Sequence, residues 1–147
     1  MAEINHFIGI RAPISKVFAA LTTTDNLAKW WTIDTHGDPG KKGGVIEFRF
    51  NGHGPNMEVV DIAADTRVEW KCIKHAANAA EWVGTHLSFD LAEKDGMVSV
   101  RFGHSGWKEA SSFHAFCSMK WATFLLSLRE ALETGVGRPW PHDLQIS

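Results

Sequence analysis

Only one stretch of this chain is long, helical and amphipathic enough to cover a sheet, and it comes last. From about Ser111 to Thr134, the residues Cys117, Trp121, Phe124, Leu125, Leu128 and Leu132 recur at three- and four-residue spacing. Ser118, Lys120, Ser127, Arg129 and Glu130 lie elsewhere around the axis, and Gly135 is suited to cap the C-terminal end. Most of what precedes this helix alternates with a period of two. Residues 3–10 set Ile4, His6, Ile8 and Ile10 against Asn5, Phe7 and Gly9. Residues 45–50, 56–65, 66–74, 81–93 and 97–104 repeat the pattern, separated by the turn-rich pieces NGHGP and KDG and the loop HAANAA. Each such strand has one apolar and one polar face, so the sheet is wet on one side and covered on the other. With a single helix for cover, the expected fold is α+β: a six-stranded antiparallel sheet curved around the C-terminal helix. A straight helix does not fill a curved sheet completely, which leaves room for a gap between them.

Two short helices follow the first strand. Pro13 opens PISKVFAALT, with Val17, Phe18 and Leu21 at helical spacing. Thr24 or Asp25 then caps the segment leading to LAKWW. THGDPGKKGG reads as a turn-rich connection, and the Pro-interrupted tail VGRPWPHDLQIS as a surface segment. No linker or repeat divides the 147 residues, so residues 1–147 are expected to form one domain.

Charge narrows the partners. Basic and acidic residues number 15 and 17 and are interspersed, with no Lys/Arg block to engage nucleic-acid phosphates. The apolar runs are far shorter than a membrane span. MAEINHFIGIRAP lacks the basic segment and long apolar core of a secretion signal, so a cytoplasmic location is expected. Cys72 and Cys117 are too few for a disulfide framework and read as buried thiols. The eight histidines show no metal-ligand spacing, so neither a metal nor a cofactor is expected.

The order of these pieces resembles the START-like (SRPBCC) superfamily, the helix-grip fold of the birch pollen allergen. Within it, the chain is similar to bacterial homologues of the C-terminal domain of the heat-shock-protein-ninety ATPase activator. APISKVFAALT followed by LAKWW, then GHSGW after the last strand, then LETGVGRPWP carry the resemblance in family order across nearly the whole chain. The resemblance implies the helix-grip fold and a cavity between sheet and helix, in a superfamily that includes lipid carriers, cyclases and lyases. HAANAAEW departs from the plainer polar loop of many relatives, in a region that shapes the cavity mouth in such folds.

The candidate ligand site follows from the apolar faces. Phe48, Met57, Trp70, Leu87, Phe89 and Phe102 should point from the sheet toward the helix, with Phe113, Cys117 and Trp121 facing them. Trp30 and Trp31 pose a separate question. Successive helical residues diverge by about 100°, so one packs as core and the other either covers a groove or walls a ligand; Trp31 is the candidate wall. His104, at the end of the last strand, is either bonded to nearby backbone or is the cavity's polar anchor or acid/base, since imidazole titrates near neutrality. His114 is its candidate neighbour. The expected function is binding of an apolar or amphipathic small molecule. Rival readings are a cofactor-free enzyme using His104 and a module contacting a chaperone. An exposed apolar patch at Trp30, Trp82 or Trp107 would favour the last, and a homodimer is compatible with any of the three.

Overall fold

A computed structural model describes residues 2–147. The chain runs β1 (Ala2–Ile10), α1 (Ile14–Thr22), α2 (Thr24–Leu27), β2 (Asp34–Gly37), β3 (Val45–Arg49), β4 (Asn56–Ala63), β5 (Arg67–Lys74), a 3₁₀ segment (Ala77–Trp82), β6 (His86–Lys94), β7 (Met97–Trp107) and α3 (Ser112–Thr134). The strands form one antiparallel sheet in the order β1-β7-β6-β5-β4-β3-β2. Among the described residues the strand count is therefore seven, not the expected six. The extra strand is β2, in and just ahead of the stretch read as a connection. Its four residues, DTHG, carry no strand pattern of their own; they are ordered by pairing with β3 from Asp34↔Arg49 to Gly37↔Ile46.

Bulges bend the sheet and re-aim side chains. On β4 the register shifts between Val59 and Asp61, so Val59 and then Ile62 turn inward. Between β1 and β7 a further bulge has Ala2 paired with Trp107 while Ile4 pairs with His104. Gly106, at φ +91, takes up the extra residue, which sends Trp107 back into the core three positions after His104. GHSGW is thus part of β7, not a segment after it.

α3 is capped at its start by Ser111, whose hydroxyl accepts from the His114 amide, and at its end by Gly135 in the left-handed conformation. Its buried face, including Cys117, Trp121, Phe124, Leu125 and Leu128, lies in the concavity of the sheet. The tail is not a loose surface segment. The Trp140 amide donates to the Trp31 carbonyl (2.8 Å), and the Trp140 carbonyl accepts from the Ile33 amide (3.2 Å). Ser127, buried on α3, donates to the Trp30 carbonyl (2.8 Å) and accepts from the Arg138 amide (2.7 Å). One hydroxyl therefore joins the helix, the turn after α2 and the tail.

Candidate functional site: an aromatic cavity under the C-terminal tail

The helix α2 ends at Leu27, so Trp30 and Trp31 lie in the following turn and need not diverge as helical neighbours would. Both are buried, with their rings stacked at 6.2 Å. Trp30 is core: its Nε1 donates to the Ala20 carbonyl (2.9 Å) and its ring meets Phe89 edge-on. Trp31 reaches further, to Phe48 (4.2 Å between ring centres) and Trp121 (4.9 Å).

Beyond Trp31 lies a cavity of about 370 Å³. Its walls come from four parts of the chain. Phe113, Phe116, Cys117, Lys120, Trp121 and Phe124 form one strip of α3; His75, Asn78 and Trp82 come from the 3₁₀ region; Phe50, His53 and Pro55 surround the β3–β4 turn; Trp140, Asp143 and Gln145 belong to the tail. A cavity of this size with aromatic walls and a few polar groups has the character of a small-molecule site. Arg49 supports its rim, donating to the Asn56 side chain (2.7 Å) and to the Phe48 carbonyl (2.9 Å).

Of the eleven residues expected to hold a ligand, Trp31, Phe113, Cys117 and Trp121 stand in the cavity wall. Phe48, Met57, Trp70, Leu87, Phe89 and Phe102 are fully buried behind it. They fill the sheet side by packing on one another and on the wall: Trp70 meets Phe89 at 5.1 Å, and Phe102 meets Trp121 at 4.6 Å. The gap between sheet and helix thus survives only toward the tail, beside the first half of α3.

His104 is also behind the wall and fully buried. Trp121 Nε1 donates to its Nδ1 (3.1 Å), which makes Nε2 the protonated nitrogen; Nε2 donates to Thr85 Oγ1 (2.8 Å), and that hydroxyl donates to the Trp82 carbonyl (2.6 Å). Every polar atom of the ring is used. Burial, with the nearby His114 adding to it, pushes the His104 pKa down to about 3. Locked neutral and away from the cavity, His104 positions Trp121 and Trp82 and has no free lone pair for proton transfer. His114 does not reach the cavity either; its ring stands edge-on to Trp107.

Two titratable groups of the cavity, His75 and Cys117, are held uncharged. Burial, aided by the Arg49 charge, lowers His75 to about 4. Burial raises the Cys117 thiol to about 11, although the Trp82 indole N–H points at its sulfur (3.4 Å). The charged exception is an ion pair between Lys120 and Asp143, whose side chains are only 17% and 4% exposed.

In the sequence Phe124 falls on the apolar stripe of α3, Lys120 lies outside that stripe, and Trp140 and Asp143 belong to the Pro-interrupted segment read as surface. A usable signal existed on α3, where positions 113, 116, 117, 120, 121 and 124 follow helical spacing once Lys120 is counted with its aromatic neighbours. For Trp140 and Asp143 there was none, because the tail has no periodicity.

A curved antiparallel sheet gripping one long helix, with an aromatic cavity beside that helix, defines a START-like protein. More narrowly, the chain belongs to the family described as "Activator of Hsp90 ATPase homolog 1-like protein", whose pattern matches residues 11–133. The solution structure of the Aha1 dimer from Colwellia psychrerythraea is 46% identical, covering 93% of this chain and all of that one, with a TM-score of 0.84. A protein from Mesorhizobium loti shares the fold at 16% identity, over 90% of this chain and 98% of its own, with a TM-score of 0.80. CalU16 from Micromonospora echinospora does so at 16% identity, over 89% and 74%, with a TM-score of 0.73. No curated protein matches the chain in sequence.

Proposed function

We propose that this protein binds a small apolar or amphipathic molecule in the open-sided cavity lined by α3, the 3₁₀ segment and the tail. The observation that carries this reading is the cavity itself: about 370 Å³ walled by Trp31, Phe50, Trp82, Trp121, Phe124 and Trp140. Side chains of this size normally close on one another in a core. Here they hold space open, and a flat apolar ligand would recover the contacts the space forgoes. The direct experiment is native mass spectrometry of the protein purified without organic solvent, followed by extraction of any retained molecule. A retained apolar compound supports the reading. An empty protein that also takes up no apolar probe contradicts it.

The dimeric relative supports a second reading, self-association. Sedimentation should then give twice the 16.3 kDa chain mass. For the chaperone-contact reading, the indoles of Trp30, Trp82 and Trp107 are themselves buried and offer no contact surface. Residence in a reducing, cytoplasmic compartment fits the two free buried thiols, Cys72 and Cys117. No helix among the described residues is long and apolar enough to cross a membrane.

A further inference from the structure

Lys120 and Asp143 form a charged corner of the cavity, and its bonding is incomplete. Lys120 Nζ donates to Asp143 Oδ2 and to the Leu144 carbonyl (2.9 Å), which leaves one of its three N–H groups. The other Asp143 oxygen, Oδ1, is buried and has no hydrogen-bond partner. An unpaired carboxylate oxygen away from water is costly, and native structures seldom leave one so. Both residues stand in the cavity wall.

The geometry points to Lys120 and Asp143 as the polar anchor of the cavity, selecting an uncharged aromatic molecule that carries a hydroxyl group. This inference rests on the cavity reading above and adds the chemical class of the ligand. A hydroxyl is the head group that matches the corner, since it donates to the carboxylate and accepts from the remaining ammonium N–H. A carboxylate head would set acceptor against the Asp143 oxygen. An ammonium head would meet the Lys120 charge. Lys120 and Asp143 cancel, and His75 is held neutral at physiological pH, so the corner offers hydrogen bonds without net charge. The ring preference comes from the walls, where the indoles of Trp31, Trp82 and Trp121 cluster with ring centres 4.9–6.5 Å apart.

The test is a titration of the full chain at neutral pH with naphthalene, 2-naphthol and 2-naphthoate, which share a ring system and differ in head group. Binding is read by calorimetry, and the same series is run on Asp143→Ala. For the unaltered protein, 2-naphthol should bind about tenfold or more tighter than naphthalene, as a hydrogen bond to a charged group warrants. 2-Naphthoate should be the weakest of the three. In Asp143→Ala the naphthol advantage should vanish and 2-naphthoate should gain, because Lys120 is then an unpaired cation. Equal binding of naphthalene and 2-naphthol by the unaltered protein overturns the anchor while leaving the cavity reading intact. Tightest binding of 2-naphthoate also overturns it, since Lys120 alone would then be the anchor. Binding of none of the three overturns the cavity reading together with the anchor. Should Asp143→Ala fail to fold, judged by circular dichroism, the series on the unaltered chain decides alone.

Discussion

His104 shows how a residue with catalytic chemistry can serve structure. Its ring sits between Trp121, which donates to it, and Thr85, which receives from it, so its tautomer is fixed by its partners. Replacement by leucine strands the Trp121 N–H and should cost about 1–3 kcal/mol of stability, measured by urea unfolding. The same residue shapes the pH dependence. In an unfolded chain its imidazole titrates near 6.5, whereas in the folded protein it resists protonation until about 3. Between those values the unfolded chain binds the extra proton, so stability is complete above 6.5 and falls as pH drops. By about pH 4.5 the loss attributable to His104 is roughly 2–3 kcal/mol. His75, with its pKa lowered to about 4, steepens the decline in the same direction. His104→Leu should therefore lose less stability than the unaltered protein between pH 7 and about pH 4.5, with His75 contributing to the slope that remains. Equal losses would show that His104 is already accessible to protons when folded.

Among the elements, the tail departs most from what its sequence suggests. It has no period, two prolines flank Trp140, and its order comes from bonds to other elements: Trp140 to Trp31 and Ile33, Arg138 to Ser127, Asp143 to Lys120. Such order is invisible in a local pattern. β2 is a similar case, since DTHG becomes a strand only where β3 lies beside it. By contrast, β3, β5, β6, β7 and α3 were legible because each carries its own apolar period and each buries the face that period marks. Two predictions belong at this scale. Ser127→Ala should cost about 1–3 kcal/mol, because it leaves the buried Trp30 carbonyl and the Arg138 amide without their shared partner; urea unfolding measures it. Trp140→Ala should leave the sheet intact and weaken binding of an apolar probe by about tenfold or more, because it removes one cavity wall. Unchanged affinity in that variant would mean that the tail is not part of the site.

At the scale of the whole molecule, a cavity follows from the mismatch between a straight helix and a curved sheet, and that much was readable from the order of elements. Its position was not. The sheet aromatics named as ligand contacts close the concavity beneath β3–β7, and the open space is displaced to the end where Trp82, the β3–β4 turn and the tail meet. Placing it required knowing which large side chains pack against each other, a property of three-dimensional volume that the period of a strand does not encode. The arrangement makes the tryptophans an internal map. Trp31, Trp82, Trp121 and Trp140 wall the cavity, whereas Trp30 and Trp107 are buried in the core away from it. The most direct test of the account is therefore a two-dimensional ¹H–¹⁵N NMR titration with 2-naphthol, following the indole N–H signals of the seven tryptophans. The account predicts saturable shifts at Trp31, Trp82, Trp121 and Trp140 while Trp30 and Trp107 stay in place. Shifts at none of the four wall indoles, or equal shifts at Trp30 and Trp107, would contradict it.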